Sequence, residues 1–144
     1  MVLRLSSVLM FLLLTLPLRA APPASGVEVE EAWARPTPPA ATVAAVYMTL
    51  RNRGAADRLL RLASPLAGRV ELHQTSSEGG MMRMRQLPFA PVAAGGQLVA
   101  APGGLHVMLL QLKRPLAAGE EFPLTLLFAT AGEVRIKVKV RSGS

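Results

Sequence analysis

The chain has 144 residues and no cysteine, which limits it to one domain that is stabilised by a packed core and not by disulfides. Its 16 basic and 9 acidic residues give a net charge of +7, and loss of a leader containing Arg4 and Arg19 leaves 14 against 9, or +5. This modest excess is not interleaved with stacking aromatic residues, which argues against nucleic acid as a partner.

Residues 1–20 have the pattern of a secretory signal peptide: Arg4 provides a positive start, residues 8–16 are apolar, and small residues surround Ala20. The apolar segment is too short to span a bilayer. We predict cleavage after Ala20 or Ala21, a flexible leader over residues 21–27, and a periplasmic or other extracytoplasmic location without stable membrane insertion. An uncleaved N-terminal anchor is the alternative, whereas a lipoprotein anchor is excluded because it requires a cysteine.

Residues 28–141 are predicted to form one β domain. Short apolar or alternating segments are separated by Gly and Pro, and no helical periodicity is evident, which favours a β-sandwich or a Greek-key barrel of seven to nine strands. The segments assigned to strands are 27–33, 42–50, 59–62, 69–73, 81–86, 97–100, 105–110, 122–128 and 133–141. Residues 74–80 are predicted to be a loop and 113–121 a polar connection. The alternating charges of 133–141 suit an exposed face or an edge strand.

One strand carries the chemistry that first suggests a function. After a Pro-Gly-Gly turn, Leu105, Val107 and Leu109 point toward the core, and His106 and Met108 share the other face, roughly 7 Å apart. An imidazole beside a thioether is a plausible pair of soft metal ligands. An ordinary strand histidine beside an apolar methionine is the simpler interpretation of an isolated His-x-Met.

The remaining methionines change that balance. Met81, Met82, Met84 and Met108 lie in or beside the segments that hold the only two histidines, His73 and His106, whereas Met48 belongs to a core-like strand. Core filling remains an alternative for Met81 and Met82. Two imidazoles and two thioethers suit Cu(I), since zinc prefers thiolate or carboxylate ligands and calcium prefers oxygen.

The spacing of these residues resembles the periplasmic copper chaperones of the PCu(A)C type. In that family's pattern, ten residues separate a first histidine from a methionine, twenty-one residues follow before a second histidine, and one residue separates it from a second methionine. Here these four positions are His73, Met84, His106 and Met108. The likeness covers roughly residues 28–140. Its segments are 32–35 (AWAR), 43–47 (VAAVY), 68–73 (GRVELH), 82–85 (MRMR), 102–109 (PGGLHVML) and 123–126 (PLTL).

The resemblance implies a cupredoxin-like β-barrel that holds one Cu(I) at a shallow, exposed site through His73, Met84, His106 and Met108. It further implies delivery to an acceptor, with the binuclear copper centre of cytochrome c oxidase subunit II and a thiol-bearing assembly factor as the expected partners. The protein is expected to be a monomer. Family members often carry a further methionine just after the first histidine, where this chain has Gln74 and Thr75, so Met81 or Met82 is a possible substitute.

Two other functions remain open: a copper buffer or resistance protein, and a metal-free β-sandwich for adhesion or assembly. An enzyme is not expected, and no catalytic residue is assigned. No serine, cysteine or carboxylate stands beside a histidine in a nucleophile arrangement, and the acidic residues show no paired spacing.

Overall fold

A computed structural model describes residues 26–142, which form ten β-strands and no helix. The strands are β1 (Val27–Ala34), β2 (Val43–Asn52), β3 (Asp57–Ala63), β4 (Ala67–Glu78), β5 (Met81–Leu87), β6 (Ala90–Val92), β7 (Gln97–Ala100), β8 (Leu105–Leu112), β9 (Glu121–Phe128) and β10 (Gly132–Val140). Residues 1–25, which include the predicted signal peptide and most of the predicted leader, lie outside this range. No helix within residues 26–142 is long and apolar enough to cross a membrane.

The strands follow the order β5-β4-β8-β2-β1-β10-β9-β3-β6, and β7 pairs with β2 beside β8. Every pairing is antiparallel except that of β1 with β10, which is parallel. Neighbours in the sheet are mostly not neighbours in sequence, as in Greek-key proteins. The prediction of an all-β fold is therefore confirmed.

Alternating burial sets the core face of each strand. On β2, Val46, Met48 and Leu50 are buried, which confirms that Met48 is a core residue. On β10, Val138 and Val140 are buried, and the basic residues that alternate with the apolar ones, Arg135, Lys137 and Lys139, are exposed. β10 lies between β1 and β9, so the charged row marks an exposed face and the edge-strand alternative is wrong.

The β4–β5 hairpin differs from the sequence prediction. Residues 74–80 were expected to form a loop, but β4 continues to Glu78, which pairs with Met81. The turn is only Gly79 and Gly80, both at positive φ, as two-residue hairpin turns require. Because the residues beyond His73 are polar on both faces, their strand character comes from pairing with β5 and not from core burial.

The short strand β6 was also missed, because its three residues include Pro91. Proline lacks a backbone donor and is tolerated at a sheet edge, and among the strands of residues 26–142, β6 pairs only with β3.

Buried polar side chains close the turns of the barrel. Asp57 accepts hydrogen bonds from the backbone amides of Arg58, Thr130 and Ala131, each at 2.8 Å. Burial raises the pKa of this carboxyl, but the three amide donors together outweigh burial and hold it below its ordinary value. Asn52 similarly donates to the carbonyl of Ala55 at 2.7 Å. These contacts fix the connections at the ends of β3 and β9 without using any residue of the predicted metal site.

Candidate metal centre

Strand register places the four predicted ligands on one face of the sheet. His73 of β4 lies directly opposite His106 of β8, and the two ring centroids are 6.0 Å apart. Met108 follows His106 by two residues and therefore shares its face, as predicted for a strand. Met84 of β5 lies opposite Thr75, which is two residues beyond His73 on β4.

His73 is the common neighbour of the other three side chains. Met84 is opposite Thr75 and Met108 is opposite Glu71, so each methionine is a diagonal neighbour of His73, on either side of it along the strand. Diagonal neighbours in antiparallel pairs are about 7–8 Å apart, within reach of long side chains. The two thioethers thus flank the row formed by the two imidazoles.

The four side chains differ greatly in exposure. His106 is only 5% exposed, whereas Met84 is 57% exposed. His73 and Met108 are half-buried. The expectation of a shallow, exposed site therefore fits the Met84 side of the cluster, and the His106 side is covered by protein.

Each imidazole is held by one hydrogen bond. Nδ1 of His106 contacts the carbonyl oxygen of Gly104 at 2.9 Å, and Nε2 of His73 contacts Oε2 of Glu71 at 2.9 Å. Oε1 of Glu71 also lies 3.4 Å from Nε of Arg69. Both rings are oriented by partners that compete for only one of their two nitrogens.

Glu71 was not recognised from sequence as part of this site. The alternation of residues 69–73 does place Glu71 on the same face as His73, which was the available signal. Alternation alone cannot show that its carboxylate turns along the strand to the imidazole.

The other two methionines of the hairpin lie on opposite faces. Met82 pairs with Ser77 and shares the face of Met84, whereas Met81 pairs with Glu78 on the other face. Their exposed fractions are 66% and 60%, which excludes the core-filling role considered for them. Only Met82 is therefore placed to add a thioether to the face of the candidate site.

Within residues 26–142, no three His, Asp or Glu side chains are grouped so that they could hold a metal ion by themselves. Any metal bound at this face would therefore draw on the thioethers of the methionines in addition to the imidazoles. Such mixed nitrogen and sulfur sites suit soft ions and not calcium or magnesium.

Comparison with known proteins gives consistent results. Residues 27–140 match the model of the LpqE-like family, described as putative lipoprotein LpqE-like. A putative lipoprotein of Leifsonia xyli subsp. xyli is 32% identical over 123 residues, which are 84% of this chain and 73% of that protein. An uncharacterized protein of Rickettsia prowazekii is 32% identical over 124 residues, which are 83% and 68% of the two chains.

Solved structures show the same architecture. The copper-bound PCuAC domain of PmoF2 superposes with a TM-score of 0.70 at 26% identity, covering 82% of this chain and 94% of that one. The solution structure of Cu(I)-DR1885 from Deinococcus radiodurans gives a TM-score of 0.64 at 33% identity, covering 85% and 80%.

The fold and its face of histidines and methionines therefore define a cupredoxin-like domain of the PCuAC type. The chain belongs to the LpqE-like family. Both the predicted fold and the resemblance to the PCu(A)C family are confirmed by these matches.

Proposed function

We propose that this protein is an exported copper carrier that holds one Cu(I) through His73, Met84, His106 and Met108 and passes it to an acceptor protein. The observation that carries the proposal is the position of His73, which faces one imidazole directly and two thioethers diagonally. Four soft or borderline donors on one face meet the preference of Cu(I).

The donor chemistry favours the reduced ion. Thioethers carry no proton and bind Cu(II) weakly, and the chain has no cysteine thiolate, so it cannot form a blue-copper electron-transfer centre. Four protein ligands also leave a bound Cu(I) little open coordination for redox catalysis. A carrier is therefore a better interpretation of this site than an enzyme.

The solved relatives support copper as the cargo. The PmoF2 domain is copper-bound and DR1885 was solved with Cu(I), and both align with most of this chain. The family description and the Leifsonia relative both carry the word lipoprotein, which supports an extracytoplasmic location.

Transfer would begin at the exposed side of the cluster. The Met84 side chain lies on a protruding hairpin, so an incoming ligand can reach the copper there while both imidazoles still hold it. A site without thiolates should bind Cu(I) less tightly than a thiol-rich acceptor, and ligand exchange would then run downhill. We propose the binuclear copper centre of cytochrome c oxidase subunit II as the final acceptor, directly or through a thiol-bearing assembly factor.

The proposal is tested by anaerobic Cu(I) titration of residues 21–144 against a chromophoric chelator. The parent should bind one equivalent, and the Met84→Leu, Met108→Leu double variant should bind at least about tenfold more weakly, a loss of about 1.4 kcal/mol. Met81→Leu is the matched control, because it removes an exposed thioether of the same hairpin from the opposite face.

A parent protein that fails to compete with the chelator would refute copper carriage and leave the metal-free module as the alternative. Copper that binds but does not move to a dithiol acceptor in a mixing experiment would instead indicate a buffer. Both outcomes are decided with the same preparations.

A further inference from the structure

Nδ1 of His73 is a buried polar atom without a hydrogen-bond partner in the part of the chain that the structure describes. Buried polar atoms are nearly always paired, and an unpaired one is costly unless another partner occupies it. The other nitrogen of the same ring is paired with Glu71 at 2.9 Å. Nε2 of His73 is therefore hydrogen-bonded within the protein, whereas Nδ1 is left for an external partner.

The chemistry of the Glu71 contact determines which nitrogen carries the proton. An ionised carboxylate only accepts hydrogen bonds, so Nε2 of a neutral His73 must donate its proton to Oε2 of Glu71. The lone pair of the ring then lies on Nδ1, the unpaired atom. Nε of Arg69 lies 3.4 Å from Oε1, the other oxygen of Glu71, so the two carboxylate oxygens have different partners.

His106 carries its proton on the other nitrogen. A carbonyl oxygen also only accepts, so Nδ1–H of His106 donates to Gly104, and the lone pair lies on Nε2. The nitrogen that is left without a proton therefore differs between the two imidazoles.

We propose that Glu71 is a positioning residue that fixes the tautomer of His73, so that copper is bound through Nδ1 of His73 and Nε2 of His106. This inference rests on the proposed function. A carboxylate behind a ligating imidazole also makes the imidazole a better donor, and loss of such a partner typically weakens metal binding about 10–100-fold. Glu71 would therefore contribute to affinity without touching the ion.

The tautomers are measured first, without metal, by long-range ¹H–¹⁵N correlation spectra of the mature domain at pH 8, above the titration range of an ordinary histidine. His73 should be protonated at Nε2 and His106 at Nδ1. Glu71→Leu should remove the preference of His73, and Glu71→Gln should weaken it, because the amide can either accept from Nε2–H through its oxygen or donate to an unprotonated Nε2 through its nitrogen. His106 should keep its tautomer in both variants and serves as the internal control.

The ligating atoms are then identified by titrating the parent with Ag(I), a diamagnetic stand-in for Cu(I). Binding should shift the ¹⁵N resonances of Nδ1 of His73 and Nε2 of His106. Competition with a chelator should show Cu(I) binding weakened about 10–100-fold by Glu71→Leu and by a smaller factor by Glu71→Gln.

Any one of three results would overturn the inference and leave copper carriage intact. The first is a metal-free His73 protonated at Nδ1, and the second is an Ag(I)-induced shift of its Nε2 resonance. The third is a Glu71→Leu variant that keeps the parental tautomer and affinity. A parent with the expected tautomers that does not bind Cu(I) would instead refute the proposed function and the ligating role of these nitrogens, and would leave Glu71 as the residue that orients His73.

Discussion

The methionines of β5 show how the side-chain face of a residue decides its role. Met82 and Met84 lie on the face of His73, whereas Met81 lies on the other face, and all three are exposed. A thioether two residues from a ligand, on the same face, can take its place when the hairpin shifts slightly. Its neighbour on the opposite face cannot.

We therefore expect Met82 to compensate partly for the loss of Met84. Met84→Leu alone should weaken Cu(I) binding about tenfold, or 1.4 kcal/mol. Adding Met82→Leu should weaken it further, whereas adding Met81→Leu should change nothing. Chelator competition on the single and double variants, treated as a double-mutant cycle, measures this coupling. Equal effects of the Met81 and Met82 substitutions would contradict the assignment by face.

At the residue scale, the sequence predicted which candidate ligands share a face, but not what surrounds them. Alternation within a strand correctly placed His106 beside Met108, and Met84 beside Met82. The burial of His106 was not predictable, because exposure depends on which segments cover a face. The contact of Glu71 with His73 depends on a side-chain rotamer, which alternation does not specify.

At the scale of elements, the β4–β5 hairpin places one proposed ligand, Met84, on the edge strand β5 and another, His73, on β4, which has a paired strand on each side. In the described part of the chain, β5 is an edge strand that pairs only with β4, whereas β4 also pairs with β8. Every side chain of β5 except Leu87 is exposed, so few apolar contacts hold its outer part. Local opening is easiest in such elements.

Copper that joins Met84 to the two imidazoles should restrain this hairpin. We expect the backbone amides of residues 76–84 to exchange hydrogen more slowly, by about tenfold or more, when one equivalent of Cu(I) is added. Mass spectrometry or NMR under anaerobic conditions measures the exchange. Amides of β9 and β10, which contribute no ligand, provide the reference. Unchanged exchange in the hairpin of the loaded protein would show that Met84 does not bind the ion.

Sequence patterns located most strands, including the exposed strand β5, and missed the outer part of β4 and the short strand β6. Alternation or apolar runs identified β1, β2, β8, β9 and β10, all of which have a buried face. The outer part of β4 has no buried face, and β6 is three residues long with a central proline. Both are strands because a neighbouring strand supplies backbone partners: β5, across the Gly79–Gly80 turn, for the outer part of β4, and the distant strand β3 for β6. Neither pairing is visible in the side-chain pattern of the segment itself.

At the scale of the whole molecule, two carboxyls link stability to pH. Glu120 accepts hydrogen bonds from the amide of Ala117 and from Arg114, and these contacts lower its pKa despite partial burial. The pKa of Asp57 is raised by burial, but its three amide donors outweigh this effect and lower it. Carboxyls with a depressed pKa in the folded state stabilise it above the pKa of the unfolded chain.

The metal-free domain should therefore lose stability in acid. Its free energy of unfolding should be constant near neutrality and fall as the pH drops below about 4, through the lowered folded-state values. Each unit of pKa depression corresponds to about 1.4 kcal/mol. Urea unfolding at several pH values measures the loss. Asp57→Asn should be less stable at pH 7 and depend less steeply on pH, and a parental slope in that variant would contradict the role of Asp57.

The parallel pairing of β1 with β10 joins the two ends of the described chain. Trp33 lies beside Lys139, and Ala34 beside Val140, and β1 also pairs with β2 on its other side. A polypeptide that passes unfolded through a membrane pore cannot form this contact until its last strand has emerged. Folds rich in such distant pairings also form slowly, on the order of milliseconds to seconds. Because a metal site rarely exists in the unfolded state, the proposed export and copper carriage together imply that Cu(I) is loaded after translocation and is not carried across with the nascent chain.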